Sequence, residues 1–166
     1  ALAWSAPLID RRRDPERLRA VAEEMMEISR ELGSIFGTAM AYRAMRWVAK
    51  NEGDLPRVRR YLGEELSRIV PLKDWIGVHG ALWALADLAG QQGEYPWAAR
   101  LLGIREVLEE TTGLGTLENR LEARDRLVTQ SGASIEQALA AAYAEGRAMS
   151  LQQAIDYALE REEERA

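Results

Sequence analysis

The chain has 166 residues, with 22 Lys and Arg against 27 Asp and Glu and a net charge of −5. That length suits one domain with a sizeable core, and the acidic balance argues against direct nucleic-acid binding or binding to an anionic membrane, both of which select basic surfaces. Without cysteine, disulfides, thiolate metal sites and thiol nucleophiles are excluded, and a cytoplasmic location is expected.

Residues 1–13 begin Ala1-Leu2-Ala3-Trp4 without an initiator Met. They read as the end of a helix belonging to a missing repeat, and the chain as a fragment of a longer protein. A helix is predicted near 14–32, with Asp14 as its N-cap, Pro15 in its first turn and Leu18, Val21, Met25, Ile28 and Leu32 at helical spacing. Met40, Ala44 and Val48 mark a second near 36–52. A third runs near 55–71 through Val58, Tyr61, Leu62, Leu66, Ile69 and Val70, and a fourth near 75–92 through Leu82, Leu85, Leu88 and Ala89. Further helices are predicted near 95–112, 116–131, 135–147 and 151–164. Ser134 with Gln137, and Ser150 with Gln153, match the capping box. Gly33, Gly53, Gly93 and Gly132 punctuate helix ends. No stretch alternates at the two-residue period of a strand, and no apolar run approaches the roughly 18–20 residues that span a bilayer.

A segment returns at a fixed interval. Gly53-Asp54-Leu55-Pro56-Arg57-Val58-Arg59-Arg60-Tyr61-Leu62-Gly63 reads forty residues later as Gly93-Glu94-Tyr95-Pro96-Trp97-Ala98-Ala99-Arg100-Leu101-Leu102-Gly103, identical at five of eleven positions. Average residue usage predicts about one identity. Similar openings fall near 14, 54, 94 and 134. The fold expected is all-α, a single helical-repeat domain over 1–166. Its antiparallel pairs lie near 14–52, 55–92, 95–131 and 135–164, with a period of about 40.

The pattern Gly-(Asp/Glu)-(Leu/Tyr)-x-x-(Val/Ala) at 53–58 and 93–98 resembles the junction of a tetratricopeptide repeat, with Leu62 and Leu102 at the following large apolar position. Its period is longer than the usual thirty-four residues and is shared by HEAT-like repeats. Residues 95–103 and 141–154, the latter reading AAYAEGRAMSLQQA, resemble the carboxyl-terminal helical-repeat region of LuxR/MalT-like bacterial transcriptional regulators and related ATPase-linked signalling proteins. The likeness spans roughly 36–160. It implies an α-α superhelix whose ATPase and DNA-binding helix-turn-helix lie in other parts of the protein.

Signals for chemistry are sparse. His79 is the sole histidine and reads as structural, with Asp74, Asp87 and Glu64 as neighbours that carry no ligand spacing. No phosphate-binding Gly-x-x-x-x-Gly-Lys-Ser/Thr loop occurs. Arg11-Arg12-Arg13, Arg57-Arg59-Arg60 and the charged run 160–165 read as solvated faces. No catalytic, cofactor-binding or metal-binding residue is expected. Trp75 and Trp97 fall near helix starts and read as packing. If the helix before each glycine junction lines a concave face, that face holds Met40, Arg43, Trp47 and Lys50, then Gly80, Trp83 and Asp87, then Arg120 and Leu127. Aromatic and Arg side chains anchor partners, but most large aromatics are mainly buried, so core or inter-repeat packing is the slightly favoured reading of Trp47 and Trp83. The function implied is a non-catalytic protein-interaction or sensor module that binds a protein or peptide segment, another domain of its own chain, or an effector on the concave face. The alternatives are a small-molecule inducer pocket within the superhelix, or a self-association module forming a homodimer.

Overall fold

The computed structural model describes residues 14–113, 136–150, 152–154 and 156–157. These residues are helical, with no strand among them. The helices are α1 (Pro15–Glu31), α2 (Ile35–Asn51), α3 (Leu55–Ile69), α4 (Trp75–Gln91), α5 (Tyr95–Thr112) and α6 (Glu136–Ala148). The expectations for 1–13, 116–131, Gly132, Ser134, Arg120 and Leu127 lie outside the described residues, as do Arg11-Arg12-Arg13 and the run 160–165.

Each of the first five helices begins twenty residues after the one before it, at 15, 35, 55, 75 and 95. The turns that set this interval share one geometry. Gly33, Gly53 and Gly93 take φ of 61°, 71° and 76°, and Lys73 occupies the same place at 56°. The next amide donates back to the carbonyl five residues earlier: Ser34 to Ser29 at 2.8 Å, Asp54 to Ala49 at 3.0 Å, Asp74 to Ile69 at 3.2 Å and Glu94 to Ala89 at 2.9 Å. This is the left-handed helix stop that leaves few carbonyls unpaired. The residue after the stop starts the next helix. Asp14, Ser34 and Asp54 accept from the amides of Arg17, Gly37 and Arg57, each at 3.0 Å. Glu94 makes no such cap bond. Ser150 and Gln153 complete the predicted capping box, with Gln153 N donating to Ser150 Oγ at 3.3 Å and Ser150 N to Gln153 Oε1 at 2.9 Å.

Contacts divide the chain into two compact units, one holding α1–α3 and the other α4–α6, with the division between residues 74 and 75. It falls within the predicted pair 55–92. In the first unit α2 packs on α1 and on α3. Leu18 and Ala22 meet Ala44 and Val48 there, with Trp47 partly buried against them. Leu62, Leu66 and Ile69 of α3 are fully buried, whereas Leu32, predicted as part of the apolar stripe of α1, stands 75% exposed at the helix stop.

In the second unit α5 packs on α4 and on α6. Trp97, Leu101 and Leu108 of α5 and Val78, Leu82 and Leu85 of α4 are buried. At Gly103 and Gly146 α5 and α6 nearly touch backbone to backbone. A Cβ on Gly103 would lie 2.2 Å from the Tyr143 carbonyl oxygen, and one on Gly146 2.1 Å from that of Arg100. Arg100 clamps the crossing by donating to Glu145 and, at 2.7 Å, to the Tyr157 hydroxyl.

Candidate functional site

Helical spacing sets which residues share a face. At 100° per residue, Met40, Arg43, Trp47 and Lys50 fall within an arc of about 80° on α2. The structure therefore leaves the four expected residues of this helix on one stripe, but Arg43, Trp47 and Lys50 are engaged within the protein. Arg43 Nε donates to Glu65 Oε1 at 2.5 Å, and Arg46 Nε reaches Glu65 Oε2 at 3.3 Å. The Glu65 side chain is 0% exposed, so the two guanidiniums neutralise a carboxylate that burial would otherwise penalise heavily. Trp47 joins the α1–α2 core and carries two cations against its ring, the Arg46 guanidinium at 5.6 Å and the Lys50 ammonium at 5.7 Å from the centroid. Lys50 is exposed and Met40 half-buried.

In the second unit Trp83 lies under a cation. The Arg105 guanidinium stacks 4.7 Å from its ring centroid. Asp87 accepts from Gln91 Nε2 at 2.9 Å, within α4. His79 meets neighbours that spacing did not single out: its Nε2 lies 2.6 Å from Glu109 Oε1 and 2.9 Å from Arg105 Nε. Arg105 Nη2 also reaches Glu109 Oε1 at 2.7 Å. With the ring proton on Nδ1, Nε2 accepts from Arg105; doubly protonated, it donates to Glu109 instead. In either state the nitrogen that would serve as a base is held by its neighbours, which fits the structural reading of His79. Among the described residues no group of three or more His, Asp or Glu is placed to hold a metal ion, and no helix is long and apolar enough to cross a membrane.

The Arg57-Arg59-Arg60 cluster departs from the expected solvated face. Arg59 is only 7% exposed. Arg57 is tied to Asp54 at 2.5 Å and to Glu52 at 2.7 Å. The hydrogen bond from Arg57 holds the Asp54 carboxyl below the usual carboxylate range. Arg60 stacks over Tyr61 at 5.1 Å.

That stack forms part of a groove in the first unit, with a volume of about 770 Å³. Tyr42 and Met45 of α2 are its floor, about 150° around the helix from the expected partner stripe. One wall is α1, contributing Met26, Arg30 and the carboxylates of Glu23, Glu27 and Glu31. The other is α3, with Arg60, Tyr61 and Glu64. Tyr42 and Tyr61 meet at the base with ring centroids 5.9 Å apart and planes tilted by 39°. The sequence carried one signal for this site: glutamates on three successive turns of α1 beside a methionine. No family model, curated protein or solved structure matches the chain.

Proposed function

We propose that this chain is a non-catalytic interaction or sensor module of a bacterial transcriptional or signalling regulator, built as a tetratricopeptide-like array with two helices per repeat of about forty residues. The observation that carries the reading is the α1–α2–α3 groove, a cavity of about 770 Å³ with an aromatic and methionine floor and charged walls. Such a surface is suited to holding a protein segment, whether from a partner or from another part of the same polypeptide. The even spacing of helix starts at 15, 35, 55, 75 and 95 supports the repeat. The likeness of 95–103 and 141–154 to the helical-repeat region of LuxR/MalT-like regulators supports the placement in a regulator. A bound segment would act on an attached domain only through a difference in affinity between two states of that protein.

A second reading is supported by the same volume, which falls within the roughly 300–1,000 Å³ of small-molecule sites. In that case the groove takes an effector rather than a peptide.

The test begins with peptides selected from a random display library on the full chain. Their affinity is then measured for Met45→Glu, which places a charge on the groove floor. Loss of about tenfold or more in affinity is expected. If every selected peptide bound the variant as it binds the parent, the groove would not be the site. No selected peptide, together with a melting temperature raised by small molecules and insensitive to them in Met45→Glu, would favour the effector reading.

A further inference from the structure

Given that the groove of the first unit receives a protein segment, the charges on its walls narrow what that segment is. Glu23, Glu27 and Glu31 follow one another at four-residue steps on α1, so their carboxylates stand one turn, about 6 Å, apart. Like charges at this spacing repel. None of the three carboxylates has an ion pair or hydrogen bond among the described residues. Arg19, which spacing would offer to Glu23, is paired with Glu52 instead. Across the groove the Glu64 carboxylate is ion-paired with Arg68, and Arg30 and Arg60 add two guanidiniums to the lining.

The floor already shows what rests on it. The Arg60 guanidinium lies over Tyr61 and that of Arg68 over Tyr42, at 5.1 and 4.7 Å from the ring centroids. Both tyrosines therefore accept a planar cation on a face. Met26 and Met45 supply apolar surface that adapts to the shape of a guest.

We propose that the groove binds a basic amphipathic segment of a protein partner. Its Arg or Lys side chains, recurring at three- and four-residue steps, pair with the Glu23–Glu27–Glu31 stripe. Its apolar side chains pack on Met26, Met45 and Tyr42. Binding relieves a repulsion that α1 carries when the groove is empty, and the chain's net charge of −5 favours encounter with a cationic partner.

Three short labelled peptides test this by fluorescence anisotropy with the full chain. The first has Arg on one helical face and Leu on the other, the second has Glu in place of Arg, and the third has Ser in place of Leu. The Arg/Leu peptide is expected to bind, more weakly as salt rises. Glu23→Gln/Glu27→Gln/Glu31→Gln should weaken it about tenfold or more while the melting temperature does not fall. Glu27→Lys, a single change on the same surface, should shift preference toward the Glu-bearing peptide. Undiminished binding by the triple variant overturns the proposal, as does equal binding of the Ser-bearing peptide. Preference of the parent for the Glu-bearing peptide overturns the charge assignment and leaves the groove a segment site. Binding of none of the three also overturns it, and the Met45→Glu selection then decides separately whether the segment site falls too.

Discussion

Lys73 occupies a place that four other helix stops give to glycine. Its φ is 56°, beside 61°, 71°, 76° and 71° at Gly33, Gly53, Gly93 and Gly113. An L side chain in the left-handed region crowds its own carbonyl, and Lys73 is exposed. Lys73→Gly is expected to stabilise the protein by about 1 kcal/mol, measured by urea unfolding; a loss of stability would mean that the lysine makes an interaction worth more than its strain. Glu65 presents the opposite case. Its carboxylate is buried between Arg43 and Arg46, and Arg46 is itself only 7% exposed. Glu65→Ala removes the buried carboxylate that both guanidiniums share and should cost about 3–5 kcal/mol, read from the same unfolding curves. Asp54 carries a pH dependence. Its folded pKa lies below the ordinary 3.8 because Arg57 bonds the charged form, so its contribution is complete above 3.8 and disappears as pH falls through the lower, folded value. The stability difference between the parent and Asp54→Asn should therefore shrink on acidification below 3.8, and a difference that grew there would contradict the assignment.

At the scale of elements, two glycines separate local cost from packing. Gly80 sits exposed within α4, with nothing within 4 Å of where a Cβ would stand. Gly80→Ala should stabilise by about 0.5–1 kcal/mol through backbone entropy alone. Gly103 sits in the α5–α6 crossing, where the same methyl would be 2.2 Å from the Tyr143 carbonyl oxygen and 3.0 Å from the Arg147 nitrogen. Those are backbone atoms that cannot swing aside, so Gly103→Ala should destabilise by about 1–3 kcal/mol. Thermal melts of the two variants moving in the same direction would refute the close crossing. Both glycines stand mid-helix in the sequence and look alike there. The helices themselves were legible because caps, stops and apolar spacing are written in adjacent residues: Asp14 and Asp54 open helices, and Gly33, Gly53 and Gly93 mark helix ends. The crossing was not legible, because it depends on which face of α5 meets α6.

For the whole molecule, the closest packing described joins successive helices within each unit: α1 with α2, α2 with α3, α4 with α5 and α5 with α6. Stability in such a chain is approximately a sum of neighbour terms. Leu62, fully buried in α3, should then act mainly within its own unit. Leu62→Ala is expected to cost about 2–5 kcal/mol and to speed amide hydrogen exchange in α1–α3 well before α5 and α6. Equal acceleration throughout would indicate one cooperative block. The groove belongs to this scale as well. Tyr42 and Met45 were passed over in favour of the Met40–Arg43–Trp47–Lys50 stripe, because periodicity identifies faces of a helix but does not say which of them its neighbours leave open.

Residue order alone determined where the described helices start and stop, that Ser150 pairs with Gln153, and that no cysteine chemistry is available. These follow from interactions spanning a few residues, where the chain itself holds the partners close. Only the tertiary structure decided that Arg59 is buried rather than solvated, that His79 faces Glu109 and Arg105, that Arg43 is spent on Glu65, and that the open groove lies on the reverse side of α2. Those outcomes turn on side chains from different helices competing for the same space and the same charge, and nothing in the order of residues along one helix records who its neighbours will be.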